Sequence, residues 1–456
     1  MAASSATAAA REGFTSTLGV LAATLGSAVG LGNIWKFPAL TGENGGAGFL
    51  LIYLCATLLV GLPVMIAEIT LGRRARSNPI AALKAMGPPR RPWWLVGVSG
   101  MLAAFLIMAF YSEVVAWVFA YVWKSIEGTA LSSDAAETEA VFAALVSDPW
   151  QSLVWQWVVL LLIGGILLKG VAGGIEAVTK RLMPLLFVLL AGLGVYSLTL
   201  EEAAAGLDFL FRPDFSKVDG AVVLTAVGLA FFKMSIGMGT MMTYGSYFRA
   251  DQNIPSTAGR VMCADLAVSL LAGIAIFPAV FTFGFEPSAG PALVFITLPA
   301  VFAQMPFGQG LMLVFFILTS IAAIGAMLSL MELPVLIVHE RLGLSRPRAV
   351  AVCVFLVALL GAACALSGSV LADFRLFGRN MFGLMDFVSS NLLLPAGGIF
   401  LALFTGWVWG KERFTRAVSN DGALNNTGLA AALVVLLRYV SPVLILIVML
   451  HGLGLI

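Results

Sequence analysis

The 456 residues are 60% hydrophobic and only 11% charged, against roughly 45–50% and 25% in soluble globular proteins, and mean hydropathy is +0.99. These values exclude an ordinary water-soluble protein, and a net charge of +2 gives no electrostatic reason for a nucleic-acid partner. Four cysteines in apolar stretches without C-x-x-C spacing, and two distant histidines, His339 and His451, point to packed thiols and away from a disulfide framework, a His-based metal centre or a catalytic triad.

A helix crossing a hydrocarbon core of ~30 Å needs about 20 apolar residues. In chain order the candidates are Thr15–Leu40, Phe49–Leu71, Trp93–Trp123, Leu153–Leu168, Ala177–Leu200, Ala221–Phe248, Val261–Phe285, Gly308–Val338, Ala349–Leu366, Phe382–Trp409 and Leu429–Leu450. They are called spans one to eleven below. Between spans seven and eight, Pro291–Met305 is apolar but too short and Pro-interrupted to cross, and reads as a re-entrant or capping loop.

Loop charges orient the chain through the Lys/Arg bias. Arg73, Arg74, Arg76, Lys84, Arg90 and Arg91 follow span two, and Arg341, Arg346, Arg348, Lys411, Arg413 and Arg416 lie in later loops of the same parity. The opposite loops hold Glu127, Asp134, Glu137, Glu139, Glu201, Glu202, Asp208 and Asp214. This orients a multi-pass membrane protein with its N-terminus in the cytoplasm and its C-terminus outside. The Ala/Ser-rich residues 1–10 read as a disordered tail.

Two spans carry their own breaks. Span one contains Gly26-Ser27-Ala28-Val29-Gly30-Leu31-Gly32-Asn33, and span six contains Phe232-Lys233-Met234-Ser235-Ile236-Gly237-Met238-Gly239. Irregular backbone at membrane depth is tolerated only where protein buries it or a cavity lines it. A lone Gly26-x-x-x-Gly30 would read as a helix-packing face. Spans one and six, however, are each the first of five, and paired broken helices in corresponding positions mark a transporter's midplane site.

These segments, with Pro38, Glu43-Asn44-Gly45-Gly46, Phe110-Tyr111, Thr243-Tyr244-Gly245-Ser246-Tyr247, Met385-Asp386-Phe387 and the Gly174-x9-Pro184 spacing, resemble the neurotransmitter:sodium symporter family, in particular its eleven-span bacterial amino-acid transporters. The resemblance covers almost everything after Arg11. It implies an all-α fold of the leucine-transporter type: a five-plus-five inverted repeat, residues 11–200 and 201–412 (with a capping loop at 286–307), then 413–456 with the eleventh helix.

It also implies roles. Ser27, Ala28, Gly30, Leu31 and Gly32 would hold the ends of an amino acid, Tyr111 would meet its carboxylate, and Phe232 would close the outer lid. Ile107, Ser235, Met238, Ala326, Ser329 and Leu330 would complete a lining suited to a neutral, hydrophobic side chain. Lys36 with Asp386 would be the outer ion pair, with Lys where the family usually has Arg. Arg11 with Glu340, beside Phe14 and Tyr247, would be the inner one. Gly174 and Pro184 would mark the helix-five segment whose unwinding opens an inward path.

The expected sodium sites are altered. The first would use Ala28, Asn33, a span-six hydroxyl and a span-seven Asn, where this chain has Lys233 and Ala264. The second would add two span-eight hydroxyls to the carbonyls of Gly26, Val29 and Ala322, where this chain has Gly325 and Ala326. Sodium would therefore be held weakly, if at all. The family's chloride residues would fall on Leu229 and Val268, leaving only Tyr53 and Ser235 as donors. A mid-membrane Lys costs at least ~2.5–3.5 kcal/mol and marks function by default. Lys233 reads either as a tethered cation in place of the first sodium, facing the substrate carboxylate, or as the structural partner of Glu113 or Asp265. The expected function is sodium-independent transport, proton-coupled or by exchange, without a cofactor, a nucleic acid or an obligatory protein partner. The alternatives are a sodium symporter using a residual second site and a non-transporting sensor. No nucleophile–base pair or phosphate loop argues for an enzyme.

Overall fold

Hydrocarbon offers no replacement for a broken backbone hydrogen bond, so each crossing segment must satisfy its own, and the long apolar runs wind into helices. A computed structural model describes residues 12–285 and 293–456. Residues 1–10, Arg11 and the 286–292 part of the expected capping loop lie outside the described residues.

Among the described residues, nine helices are long and apolar enough to cross: Ala47–Ala75, Trp94–Glu127, Pro149–Leu167, Val171–Ser197, Ile254–Thr282, Gly308–Leu342, Arg346–Gly368, Met381–Trp409 and Thr427–Gly452. A tenth crossing is the bent pair Thr17–Ala28 and Gly32–Glu43, which meet at 54°. The sixth expected span is two short helices, Gly220–Lys233 and Thr240–Gly245, joined by non-helical residues 234–239. Span five starts at Val171, six residues before the expected Ala177, because the Gly-rich 171–176 stretch is wound as a π-helical turn. Pro184 lies inside the helix that follows, so the Gly174–Pro184 segment is helical in this conformation, not unwound. The described part of the capping loop does not cross: Leu293–Thr297 and Leu298–Ala303 pack with Phe295 against Tyr121 and Phe142.

Local chemistry fixes several starts. Ser16 accepts from the Gly19 N–H to cap span one, Asp148 accepts from Trp150 and Gln151 ahead of span four, and Asn253 accepts from Ser256 ahead of span seven. Spans four and seven each have Pro in the first turn, where its missing N–H costs nothing. Spans three and eight share the most extensive helix–helix contact and form the wall behind the break in span one. Of the four thiols, Cys353 and Cys364 are buried, but Cys55 and Cys263 face outward, so the packed-thiol reading holds for two of them.

The inner piece of span six lies on span two at backbone distance. A Cβ on Gly72 would overlap the Met242 carbonyl, and one on Gly245 would overlap that of Ile69. Gly72→Val should therefore overpack this seam and destabilise the protein by about 1–3 kcal/mol, read as a lowered unfolding temperature in detergent. An unchanged temperature would mean the two segments are free to separate.

Candidate substrate and ion site

Each break leaves backbone groups that other side chains satisfy. In span one, Val29 is extended (φ −82°, ψ 114°). Beyond it, the Leu31 N–H donates to the Tyr111 hydroxyl at 3.2 Å and the Gly30 N–H to Asn33 Oδ1 at 3.2 Å. In span six, Ser235 (φ 51°), Gly237 and Gly239 (both φ 87°) turn the chain through the left-handed region. Glycine adopts that region freely and serine only under constraint. The Ser235 hydroxyl donates to the Ser27 carbonyl at 2.8 Å, tying the two breaks together. Buried Glu68 accepts from the N–H groups of Gly237 at 2.6 Å and Met242 at 3.3 Å, so it is a structural partner of the break.

Between the breaks lies a small cavity of about 50 Å³. Span one lines it with Ser27, Ala28, Gly30 and Gly32, span three with Ile107 and Tyr111, span six with Phe232, Lys233, Ser235 and Met238, and span eight with Ala326 and Leu330. A Cβ on Gly30 would stand 3.0 Å from Ala326 Cβ and 3.1 Å from the Tyr111 hydroxyl, so glycine is what lets these walls close. Two residues expected in the lining are outside it. Leu31 turns its side chain into the core and contributes its N–H to Tyr111, and the Ser329 hydroxyl bonds back to the Ala326 carbonyl of its own helix at 2.8 Å.

Lys233 reaches from the cavity wall into a buried cluster. Its ammonium lies 2.9 Å from the Tyr53 hydroxyl, 2.5 Å from Ser269 Oγ and 3.1 Å from Asp265 Oδ2. The first two are hydrogen bonds and the third is an ion pair. Asn33 closes the cluster by donating Nδ2 to Asp265 Oδ1 at 2.7 Å, to the Asp265 carbonyl at 3.1 Å and to Ser269 at 3.1 Å. Acceptors at one end and the Gly30 N–H at the other fix the orientation of this amide. Thus the ammonium is paired with Asp265 and does not face the cavity alone. Glu113, the other candidate partner, instead accepts from Trp117 Nε1 at 2.7 Å.

The span-seven register differs by one residue from that expected. Asp265 and Ser269 point into the cluster, while Ala264 packs half-buried at its periphery and Val268 adds no polar group. One residue is a rotation of about 100° on a helix, enough to exchange an inward position for an outward one. At the second cation position the helices touch. A Cβ on Gly325 would stand 2.7 Å from the Gly26 carbonyl oxygen and 3.1 Å from its Cα, so the space for a hydroxyl side chain is taken by backbone. Ala322 and Ala326 are buried alongside.

The gates differ from expectation as well. Lys36 and Asp386 make no ion pair within 4 Å. Lys36 Nζ sits 3.9 Å above the Phe232 ring centroid, and Asp386 Oδ1 accepts from Ser390 at 2.8 Å. Lysine lacks the guanidinium fork that spans such a gap, and the aromatic face takes its charge instead. On the arginine-rich side Arg11 is outside the described residues, and Glu340 accepts from the backbone and side chain of Asn78 at 2.9 and 2.7 Å. Phe14 packs edge-on against Tyr244 and Tyr247. Tyr247 donates to Glu332 at 2.6 Å, a carboxylate that Arg346 grips with both terminal nitrogens at 3.0 and 2.8 Å. Glu12 lies 3.6 Å from Arg346 and accepts from the Val171 N–H at 2.9 Å. Glu176 accepts from the Thr15 N–H at 2.7 Å and from the Thr15 and Ser16 hydroxyls at 2.8 and 2.9 Å. The π-turn that holds Gly174 therefore clasps the segment ahead of span one. Sequence reasoning missed Glu332, Arg346, Glu12 and Glu176; the only signal available was charge close to apolar spans.

Known proteins resemble this chain in sequence and fold. The family model described as the sodium:neurotransmitter symporter family matches residues 11–141 and 146–454. An uncharacterized sodium-dependent transporter of Bacillus subtilis, YhdH, is 38% identical, with 97% of each chain covered. One from Haemophilus influenzae is 34% identical over 88% of this chain and 90% of its own. The crystal structure of MhsT in complex with L-phenylalanine superposes with a TM-score of 0.89 at 41% identity, covering 97% of this chain and 100% of that one. The fold is accordingly that of the leucine-transporter type, and the chain belongs to the sodium:neurotransmitter symporter family, as a multi-pass membrane transporter and not an enzyme.

Proposed function

We propose that the chain carries neutral, hydrophobic L-amino acids by alternating access, with the Lys233–Asp265 pair standing in for sodium at the first cation position. The observation that carries this reading is the Lys233 ammonium, held at 2.5–3.1 Å by Ser269, Tyr53 and Asp265 beside Asn33. A sodium ion at ~3 Å from that ammonium would meet severe like-charge repulsion. At the second position only carbonyls, those of Gly26, Val29 and Ala322, are at hand, and the Gly325–Gly26 contact leaves no room for a hydroxyl ligand. That weighs against a sodium symporter working through a residual second site.

The substrate class is supported by the lining, apolar apart from Lys233 and the hydroxyls of Ser27, Ser235 and Tyr111, and by MhsT, whose structure holds L-phenylalanine. N–H groups at the start of Gly32–Glu43, with the Tyr111 hydroxyl, suit a carboxylate, and carbonyls at the end of Thr17–Ala28 suit an ammonium group. The Lys/Arg bias supports a bacterial inner-membrane protein with a cytoplasmic N-terminus and an external C-terminus, built from repeats at 11–200 and 201–412. Coupling is to protons or to a counter-substrate, and uptake under an imposed pH gradient separates the two.

Binding of L-phenylalanine should stay within about twofold when sodium is replaced by N-methyl-D-glucamine at constant ionic strength. A steep rise with sodium would overturn the proposal. Asp265→Asn should cost about 3–5 kcal/mol by leaving a buried ammonium without its counter-charge, read from thermal unfolding. Lys233→Thr combined with Asp265→Asn should instead restore much of that loss and make binding sodium-dependent. In competition assays Leu, Ile, Met and Phe should displace one another, while Asp, Lys and Gly should be weaker, with each lost methylene worth about 1–3 kcal/mol. Preference for a charged side chain would contradict the apolar lining.

A further inference from the structure

On the arginine-rich side, the start of span three and the inner half of span ten diverge to leave a lipid-facing groove of about 440 Å³. Leu95, Val96 and Ser99 form one wall, Ala396, Gly397 and Phe400 the other, and Arg91 stands in the same groove beside Trp93. Leu95 and Phe400 are each 48% exposed, so the groove opens sideways into the bilayer.

A second cavity of about 460 Å³, lined by Arg74, Arg413, Arg416 and Trp409 with Glu412 as its one carboxylate, lies further along span ten. No residue lines both, but Phe404 lies between their walls. The Trp93 ring is 5.3 Å from that of Phe404, and Phe404 opens the turn that ends at Trp409. From Phe400 to Trp409 is nine residues, about 13–14 Å of helix, close to half of a ~30 Å hydrocarbon core. Arg74 pairs with Asp421 at 3.4 Å. Among the described residues Arg91, Arg413 and Arg416 have no carboxylate within 4 Å. Unpaired guanidinium groups at the end of an apolar groove are matched by a ligand with an apolar tail and a phosphodiester.

We infer that the paired cleft is a binding site for one phospholipid with an anionic headgroup: its headgroup lies among Arg91, Arg413 and Arg416, and an acyl chain lies in the groove. The site touches the transport machinery. Gly397 lies so close to the Gly237 carbonyl that a Cβ there would overlap it, and Gly100, next to Ser99, stands in the same relation to the Met238 carbonyl. The groove floor is thus the back of the span-six break whose front lines the substrate cavity. A chain seated there braces the break from behind.

The test is native mass spectrometry of the full protein released from nanodiscs of equal parts phosphatidylglycerol and phosphatidylcholine. One phosphatidylglycerol should be retained in about tenfold preference. The R91Q/R413Q/R416Q variant should lose the preference, and both A396W and S99F, which fill the groove from opposite walls, should lose the bound lipid with the arginines intact. Binding of L-phenylalanine by each variant reports that it is folded. Equal retention of the two lipids by the unaltered protein would overturn the site. So would undiminished retention in the arginine variant or in both folded groove variants. Release of the lipid by millimolar inorganic phosphate would reduce the cleft to an anion site and likewise overturn the inference.

Discussion

The constraint on which the structure depends is that a helix broken inside the membrane cannot hand its free backbone groups to water. Each unsatisfied group there costs several kcal/mol, so the breaks in spans one and six persist only because named side chains replace the missing bonds. Tyr111 and Asn33 receive the N–H groups of Leu31 and Gly30, and Glu68 receives those of Gly237 and Met242. Ser235, itself strained, closes the loop onto the Ser27 carbonyl. The two breaks are mutually supporting, and the small space between them is a consequence of that support.

The same constraint governs charge. An isolated ammonium in hydrocarbon is prohibitive, and a pair is tolerated only when geometry and further hydrogen bonds offset desolvation. Lys233 meets that condition through Asp265, Ser269 and Tyr53, and Asn33 binds the far side of the carboxylate. The cluster carries one positive and one negative charge, so it presents no net monopole to the cavity, unlike a sodium ion held by neutral ligands. A carboxylate entering the cavity would then meet a Lys already shared with Asp265 and backbone N–H groups already held by Tyr111 and Asn33. On the proposed reading of Lys233, the cation would be covalently attached to span six, which would remove the entropy of capturing an ion but tie binding to the movement of that span.

How much of this was legible in the sequence depends on how local the signal is. The spans were legible because apolar length is local, and the breaks because clustered glycines at mid-span have no other use. Lys233 announced itself by being a charge where charge is expensive. Asp265 was one of its two candidate partners for the same reason, and what the sequence could not give was rotation: Ala264 was named for the span-seven cation ligand where Asp265 faces inward. Lys36 was expected to pair with Asp386, but its side chain lies over the Phe232 ring instead, a rotamer preference no residue pattern encodes. The Arg346–Glu332 fork joins residues on either side of a helix end, and only the three-dimensional course of the chain brings Glu12 to it.

The two faces of the cavity are closed by different physics, which bears on how the molecule can alternate. On the side away from the arginines, the closure is aromatic. Trp117 stacks on Phe382 at 5.8 Å and meets Phe142 and Phe295 edge-on, while Lys36 covers Phe232. Aromatic contacts of this kind are worth about 0.5–1.5 kcal/mol each beyond area burial, and among these rings Trp117 also carries a polar tie, its Nε1 donating to buried Glu113 at 2.7 Å. On the arginine-rich side, the closure is ionic and directional: Arg346 on Glu332, Tyr247 on the same carboxylate, Glu12 on the Val171 N–H, and Glu176 on Thr15 and Ser16. Opening there must break several charge-assisted bonds together, and their groups are rehydrated only once water reaches them. The π-turn at 171–176 lies under that clasp, so releasing the segment ahead of span one and loosening span five are one event. The ionic closure on the arginine-rich side therefore parts only as a set of bonds broken together.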